Sequence, residues 1–211
     1  MFFPIFTTVL IVFGLFTIYI RTTNKMITNK KDDLWEKELK ANGVRRQPLT
    51  DINYIEHDPE RLSFIKDEDT DEEEREYINT LMELKDKKIA NLSSYTNTDL
   101  KMKYGPANLE YLSECDQNYL ELVRTLYQFS CYEYNKGEID KCRQILEYGV
   151  SVRTDVKGHY KLLADIYAKD FNFEAIERIT KEAEKIESPT RDSVIEMLRT
   201  TDYFRADEGS L

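Results

Sequence analysis

Two stretches of the C-terminal half repeat one apolar spacing 34 residues apart, and that interval restricts the fold more than any other feature of the chain. Leu126, Phe129 and Ser130 map onto Tyr160, Leu163 and Ala164 under a single shift. Within each copy the apolar positions recur every three or four residues, as on one buried face of a helix. In the first copy Asp116 is placed to cap a helix carrying Tyr119, Leu122, Val123, Leu126, Phe129 and Tyr134, and Asn135-Lys136-Gly137-Glu138 to turn it. Ile139, Cys142, Ile145, Leu146, Gly149 and Val150 then resume helical spacing. A two-helix unit of this length cannot bury its apolar face alone, so copies must stack. The second copy turns at Asp170-Phe171-Asn172-Phe173, without Gly. There Ala175 reaches the small-residue position of the second helix only if the turn is one residue shorter. Ser188-Pro189 closes that helix, and Thr190 to Thr200 supplies the polar-faced capping helix that a helical stack needs.

The N-terminus is of a different kind. Phe2 to Ile20, FFPIFTTVLIVFGLFTIYI, holds no charge, and a helix of that length covers roughly the ~30 Å hydrocarbon core of a bilayer. Pro4 falls in the first turn, where a missing N–H costs little. A cleavable signal peptide requires a basic start, a short apolar core and a small-residue exit. No cation precedes this run, and Tyr19-Ile20-Arg21 is a poor cleavage site. The sequence therefore predicts an uncleaved anchor. Arg21, Lys25, Lys30 and Lys31 follow it, which by the positive-inside rule places the remainder in the cytoplasm at the plasma membrane. Unpaired Cys115, Cys131 and Cys142 suit that reducing compartment.

Between anchor and repeats the pattern is mixed. Lys31 to Asn42 reads as a short helix stopped by Gly43, with Trp35 either at the membrane interface or packed on the body. Val44 to Lys66 loses periodicity around the turn His57-Asp58-Pro59, and reads as an extended arm or loose hairpin. Asp67 to Glu76 is acidic, but a calcium loop would need Gly at its sixth position and Glu at its twelfth, where Glu72 and Ile78 stand. The acids suit the start of a helix capped by Thr70 or Asp71, carrying Tyr77, Ile78, Leu81, Leu84, Ile89 and Leu92 to about Asn91. A short helix from Asn97 or Thr98 stops at Tyr104-Gly105-Pro106, and another spans Asn108 to Cys115.

The C-terminal pattern resembles the tetratricopeptide repeat family. A large residue and then Leu-small in the first helix appear as Leu126 with Phe129-Ser130, and again as Tyr160 with Leu163-Ala164. The turn Gly is Gly137, and Cys142 and Gly149 are the small residues of the second helix. The strings NTDLKMKYGPANL, DQNYLELVRTLYQ and ILEYGVSVRTD extend the likeness over nearly the whole chain. In this wider layout the protein is similar to a functionally unassigned group of small single-pass membrane proteins of clostridial bacteria. That resemblance implies architecture and location and brings no activity with it. The fold expected is all-α: one transmembrane helix over 2–20, a juxtamembrane helix and arm over 21–66, an acidic-start helix and short helices over 67–115, and tetratricopeptide-like repeats with a capping helix over 116–205.

Chemistry is sparse. A nucleophilic enzyme needs a base within reach, and the two histidines, His57 and His159, lie near no nucleophile motif. Zinc spacings and Gly-rich phosphate loops are missing, so no metal or cofactor is expected. Cys131 and Cys142 fall on facing helices, as small core residues or, less simply, as a redox pair. With 40 acidic and 30 basic residues the chain lacks the basic footprint of a nucleic-acid binder. The repeat resemblance implies that first helices line a groove for a peptide or partner helix. Its positions here are Arg124, Tyr127, Cys131 and Tyr134, then Lys161, Asp165 and Lys169. Tyr and Arg are common interface anchors, and the cations suit an acidic or carboxylate-bearing segment. The same tyrosines also read as packing residues, and the lysines as a solvated face. Cys131 and Asp165 do not supply the Lys and Asn set of the family's carboxylate clamp, which argues against a chaperone-tail receptor. The expected function is a membrane-tethered interaction adaptor. The alternatives are a structural subunit of a membrane complex, with Thr7, Thr8, Gly14 and Thr17 on a helix–helix contact, and an enzyme whose pocket leaves no trace in the sequence.

Overall fold

The computed structural model describes residues 3–66 and 70–200, with the side chains of 3–11, 26, 27, 29 and 30 outside the described set. Among the described residues the regular structure is helical throughout. The helices are α1 (Phe3–Asn42), α2 (Glu72–Leu84), α3 (Asn97–Tyr104), α4 (Leu109–Lys136), α5 (Ile139–Ser151), α6 (Lys157–Lys169), α7 (Phe173–Ala183) and α8 (Arg191–Thr200). The chain divides into two compact units: residues up to Pro48 with Asn97–Leu109, and Leu49–Thr96 with the chain from Glu110 onward.

In the first unit α1 runs unbroken for 40 residues, whereas the change of composition at Arg21 predicts an anchor and a separate juxtamembrane helix. Arg21 to Lys30 contains neither Gly nor Pro to stop a helix. Thr17, Thr22 and Thr28 turn their hydroxyls back onto the carbonyls of Gly14, Ile18 and Asn24, at 2.8, 3.0 and 3.0 Å. The helix ends at Gly43, where the sequence predicts it. Val12, Phe13, Leu15, Phe16, Ile18 and Tyr19 are all more than half exposed. Among the described residues no helix is long and apolar enough to cross a membrane, and the run 2–20 reaches into positions whose side chains lie outside that set. Trp35 is 69% exposed within this unit. α3 lies along the last turns of α1 through Lys37–Asp99 at 2.8 Å and through Glu38, which accepts from Thr98 at 2.7 Å and pairs with Lys101. Gly105 closes this unit at φ +84°, where a Cβ would clash at 2.7 Å with the Arg45 carbonyl oxygen. Glycine alone fits there, and Asn108 completes the turn by donating to Tyr104 O at 2.7 Å and Gln47 O at 2.8 Å.

In the second unit Asp71 caps α2 with a reciprocal pair of bonds: its carboxylate accepts from Glu74 N–H at 2.9 Å, and Glu74 accepts from Asp71 N–H at 3.0 Å. Residues 67–69 of the acidic run lie outside the described residues. α2 stops at Leu84, short of the Asn91 that the apolar spacing predicts. The next residues satisfy their backbone elsewhere: Ile55 N–H donates to Ile89 O at 2.9 Å, and Ala90 N–H to Cys115 O at 3.2 Å. Ile89 and Leu92 are still buried, but from an irregular segment. The 28-residue α4 also merges what reads in sequence as two helices. Asp116 is interior to it rather than a cap, and its carboxylate accepts from Leu92 N–H at 2.8 Å.

The 34-residue period is carried in burial. Leu126 and Tyr160, Phe129 and Leu163, Ser130 and Ala164, Cys142 and Ile176, and Ile145 and Ile179 are buried pairs one period apart. The turns repeat as well. Gly137 N–H donates to Tyr134 O at 3.1 Å and Glu138 N–H to Glu133 O at 2.9 Å. One period on, Phe171 donates to Ala168 O at 3.1 Å and Asn172 to Tyr167 O at 2.8 Å. The second turn is therefore not shorter, and Ile176 rather than Ala175 stands in the place of Cys142. Phe171 takes a left-handed conformation, φ +54° against +85° for Gly137, at a cost of about 1 kcal/mol. Ala183, fully buried, is the counterpart of Gly149. α6 and α8 open on the same side-chain turn, Val156 N–H to Thr154 Oγ1 at 3.2 Å and Thr190 N–H to Ser188 Oγ at 3.3 Å. α8 therefore caps the stack in the register of a third first helix, burying Val194 and Leu198.

Two apolar cores result. One joins α5 to α8 around Leu146, Tyr160, Leu163, Ile176 and Val194. The other joins the arm, α2, α4 and α5 around Phe64, Leu81, Tyr119, Leu126 and Phe129. α5 serves both, giving Cys142, Leu146 and Val150 to the first and Ile145 and Tyr148 to the second. Each fully buried Leu or Ile contributes roughly 2 kcal/mol.

Candidate functional site

The seven residues singled out by the repeat pattern all lie on the first helices of the two hairpins. Spacings of three and four put Arg124, Tyr127, Cys131 and Tyr134 on one face of α4, and a spacing of four does the same for Lys161, Asp165 and Lys169 on α6. Contacts join the two faces. Lys169 Nζ donates to Tyr134 Oη at 2.7 Å and stands 5.2 Å from the centre of that ring. Tyr127 leans over the start of α6, its ring 5.5 Å from His159. Gly158 provides the space, since a Cβ there would lie 2.5 Å from Tyr127 Cζ. Lys161 pairs with Asp165 at 2.7 Å within α6. Tyr127, Cys131 and Tyr134 are half-buried, while Arg124, Lys161 and Lys169 are exposed. Burial, then the Cys131 thiol, pushes the Tyr127 phenol up, and the bond to Tyr134 raises the Lys169 ammonium. The tyrosines pack in part, as the plainer reading has it, but both stay half-exposed, Tyr134 beside the Lys169 cation. Arg124, Lys161 and Lys169 outnumber Asp165 on a chain of net charge −10.

Leu120, 45% exposed, extends the α4 stripe by one turn. The spacing of four from Arg124 was its signal, but an exposed leucine alone rarely marks a site.

The histidines are spent on structure. His57 is buried; its Nε2–H donates to Leu81 O at 2.8 Å, and its Nδ1 accepts from Tyr148 Oη at 2.8 Å. Burial lowers its pKa. His159 is wholly buried, with Nδ1 3.3 Å from Thr154 Oγ1, and burial drives its pKa down to about 3. Both rings are therefore neutral at physiological pH. Cys142 is buried, and burial followed by the nearby Cys131 pushes its thiol up to about 12, far from a reactive thiolate. Among the described residues no group of three or more His, Cys, Asp or Glu is arranged to hold a metal ion.

A cavity of about 280 Å³ lies where the arm meets the end of α5, lined by Asn53, Glu56, Arg61, Arg153 and Glu187 among others. Its charges are of both signs and partly paired, with Arg153 3.8 Å and Asn53 3.4 Å from Glu187. One residue that the sequence pattern hides is Glu133, a fully buried carboxylate on the core stripe of α4. It stands four residues after Phe129 and one period before Tyr167, a place where an apolar or aromatic residue is expected. Compared with known proteins, the chain matches no family model, no curated protein and no solved structure.

Proposed function

We propose that this protein is a membrane-tethered interaction adaptor whose tetratricopeptide-like body offers the α4–α6 face to a protein or peptide partner. The observation that carries the reading is the 34-residue recurrence of burial and turn geometry. It brings two first helices together with three cations and two half-buried tyrosines on their shared open side. Such a surface suits a segment bearing carboxylates beside apolar side chains, with the tyrosines as anchors. The reading is a non-enzymatic one.

The tether is the apolar run of α1. Uncovered Val12, Phe13, Leu15, Phe16 and Ile18 support it, as does the cation bias after Ile20, which orients the body to the cytoplasm. If the anchor ends at Ile20, the continuous α1 carries Trp35 about 22 Å farther at ~1.5 Å per residue, beyond the headgroup layer. Trp35 is the lone tryptophan. In vesicles containing the full chain its fluorescence is expected to be quenched by aqueous acrylamide and untouched by brominated acyl chains. Quenching by the lipid would place it at the interface instead.

The adaptor reading is tested by capture from gently solubilised native membranes. Tyr127→Ala with Lys161→Ala is expected to lower recovery of the partner at least tenfold, with helicity unchanged. Equal recovery with intact helicity removes the α4–α6 face as the binding surface, and leaves a complex subunit held through the anchor or arm.

A further inference from the structure

The end of α4 contains a carboxylate with nothing to hold it as an anion. Glu133 is fully buried, and neither of its oxygens has a hydrogen-bond partner. From α2 it faces Glu74, itself 2% exposed, and beyond that Asp71. From its own helix it faces Lys136, and from α5 Lys141 and Cys142. These lysines are already committed. Lys136 lies 2.6 Å from Asp71 and 3.2 Å from Glu74, and Lys141 lies 2.9 Å from Glu74. Two carboxylates against two ammoniums balance, and the Cys142 thiol is neutral. An ionised Glu133 would be one uncompensated charge in a buried site whose two cations are already paired, which burial opposes strongly.

The same groups form the clamp that fixes the start of α2. Asp71 and Glu74 are its reciprocal cap, and Tyr132 Oη adds a bond to Asp71 at 2.8 Å. α2 in turn lays Tyr77 over Phe129, ring centres 5.1 Å apart, in the second core. We propose that Glu133 is protonated in the folded protein near neutral pH, and that its ionisation as pH rises loosens the clamp holding α2 on α4 and α5. Burial first, and the Glu74 carboxylate second, raise the Glu133 pKa to about 7. Glu74 moves oppositely: burial would raise it, but Lys141, the Asp71 N–H and Lys136 prevail and hold it at about 2.

The direction follows from proton linkage. A carboxyl whose folded pKa is raised stabilises the fold fully below its unfolded value, near 4.5, and loses that contribution as pH rises to about 7. His57 and His159, both lowered, act in the opposite sense below about 6.5, so a matched comparison is required. Hydrogen exchange of the α2 amides, corrected for intrinsic rates, is to be followed from pH 5 to pH 8 in full-length wild type and Glu133→Gln. The wild-type opening constant relative to the variant is expected to rise at least tenfold over that range in α2, while the ratio in α7 and α8 stays flat. A ratio independent of pH in α2 overturns the proposal. Should the variant fail to fold, the infrared band of a protonated carboxyl in wild-type protein decides. Its presence at pH 6 and loss by pH 8 supports the proposal, and its absence at pH 6 overturns it.

Discussion

Tyr160→Ala is expected to destabilise the body by about 4 kcal/mol, in the range for emptying a buried aromatic site. The ring is fully buried among α5, α6, α7 and α8, so three neighbouring helices lose contact with it and the stack cannot collapse around the void without breaking its register. The hydroxyl also donates to Thr154 O at 3.2 Å, in the turn that opens α6, leaving that carbonyl without its donor. Tyr160→Leu places in the second copy the residue that the first copy holds at Leu126. It is expected to cost about 2 kcal/mol, since most of the volume is kept. Urea unfolding followed by circular dichroism measures both. Equal losses for Leu and Ala would mean that the two copies do not share a packing scheme.

Gly149→Ala is the second large effect, and its sign runs against helix propensity. Alanine is better than glycine within a helix by about 1 kcal/mol. Here, though, the added methyl would lie 2.5 Å from His159 Nε2 and 2.7 Å from its Cδ2. The imidazole has no room to retreat: it is fully buried, near Thr154 on one side and the Tyr127 ring on the other. Overpacking of this kind costs about 3 kcal/mol, so a net loss of about 2 kcal/mol is expected by urea unfolding. His159→Ala in the same background should restore part of it, because the two sites share one contact. A raised midpoint for Gly149→Ala alone would show that the helices do not approach this closely.

Much of the body is legible in sequence because its determinants are local or periodic. The acidic run behind Thr70 or Asp71 announces the start of α2, Gly105-Pro106 the end of α3, and the period of 34 the pairing of hairpins. What escapes is set by contacts distant along the chain. Asp116 looks like a cap because its type suits one, yet α4 runs through it and Leu92 claims its carboxylate. Ile89 and Leu92 continue a helical spacing, but they are buried by an extended segment that satisfies its backbone on the arm and α4. The turn at Phe171 looks irregular because it lacks glycine, while its hydrogen bonds repeat those of Gly137 and only the residue in the left-handed position has changed. The charges of α1 disguise its continuity, since polar residues without a breaker do not end a helix. Of the candidate site, the helical spacing shows which residues share a face. That Tyr134 meets Lys169, and Tyr127 the start of α6, depends on how α6 is placed by α5 and α7. Glu133 escapes for a related reason, as the charged groups that surround it, Glu74 and Lys141, come from α2 and α5.

The central claim is that the α4–α6 face meets a partner, and site-specific photocrosslinking in native membranes tests it most directly. A photoreactive residue at position 127 or 161 is compared with one at Glu177 or Lys181, both exposed on α7. The account predicts a discrete adduct of one partner from 127 and 161, and none from 177 or 181. Adducts from α7 at equal yield, or none from α4 and α6, would contradict it.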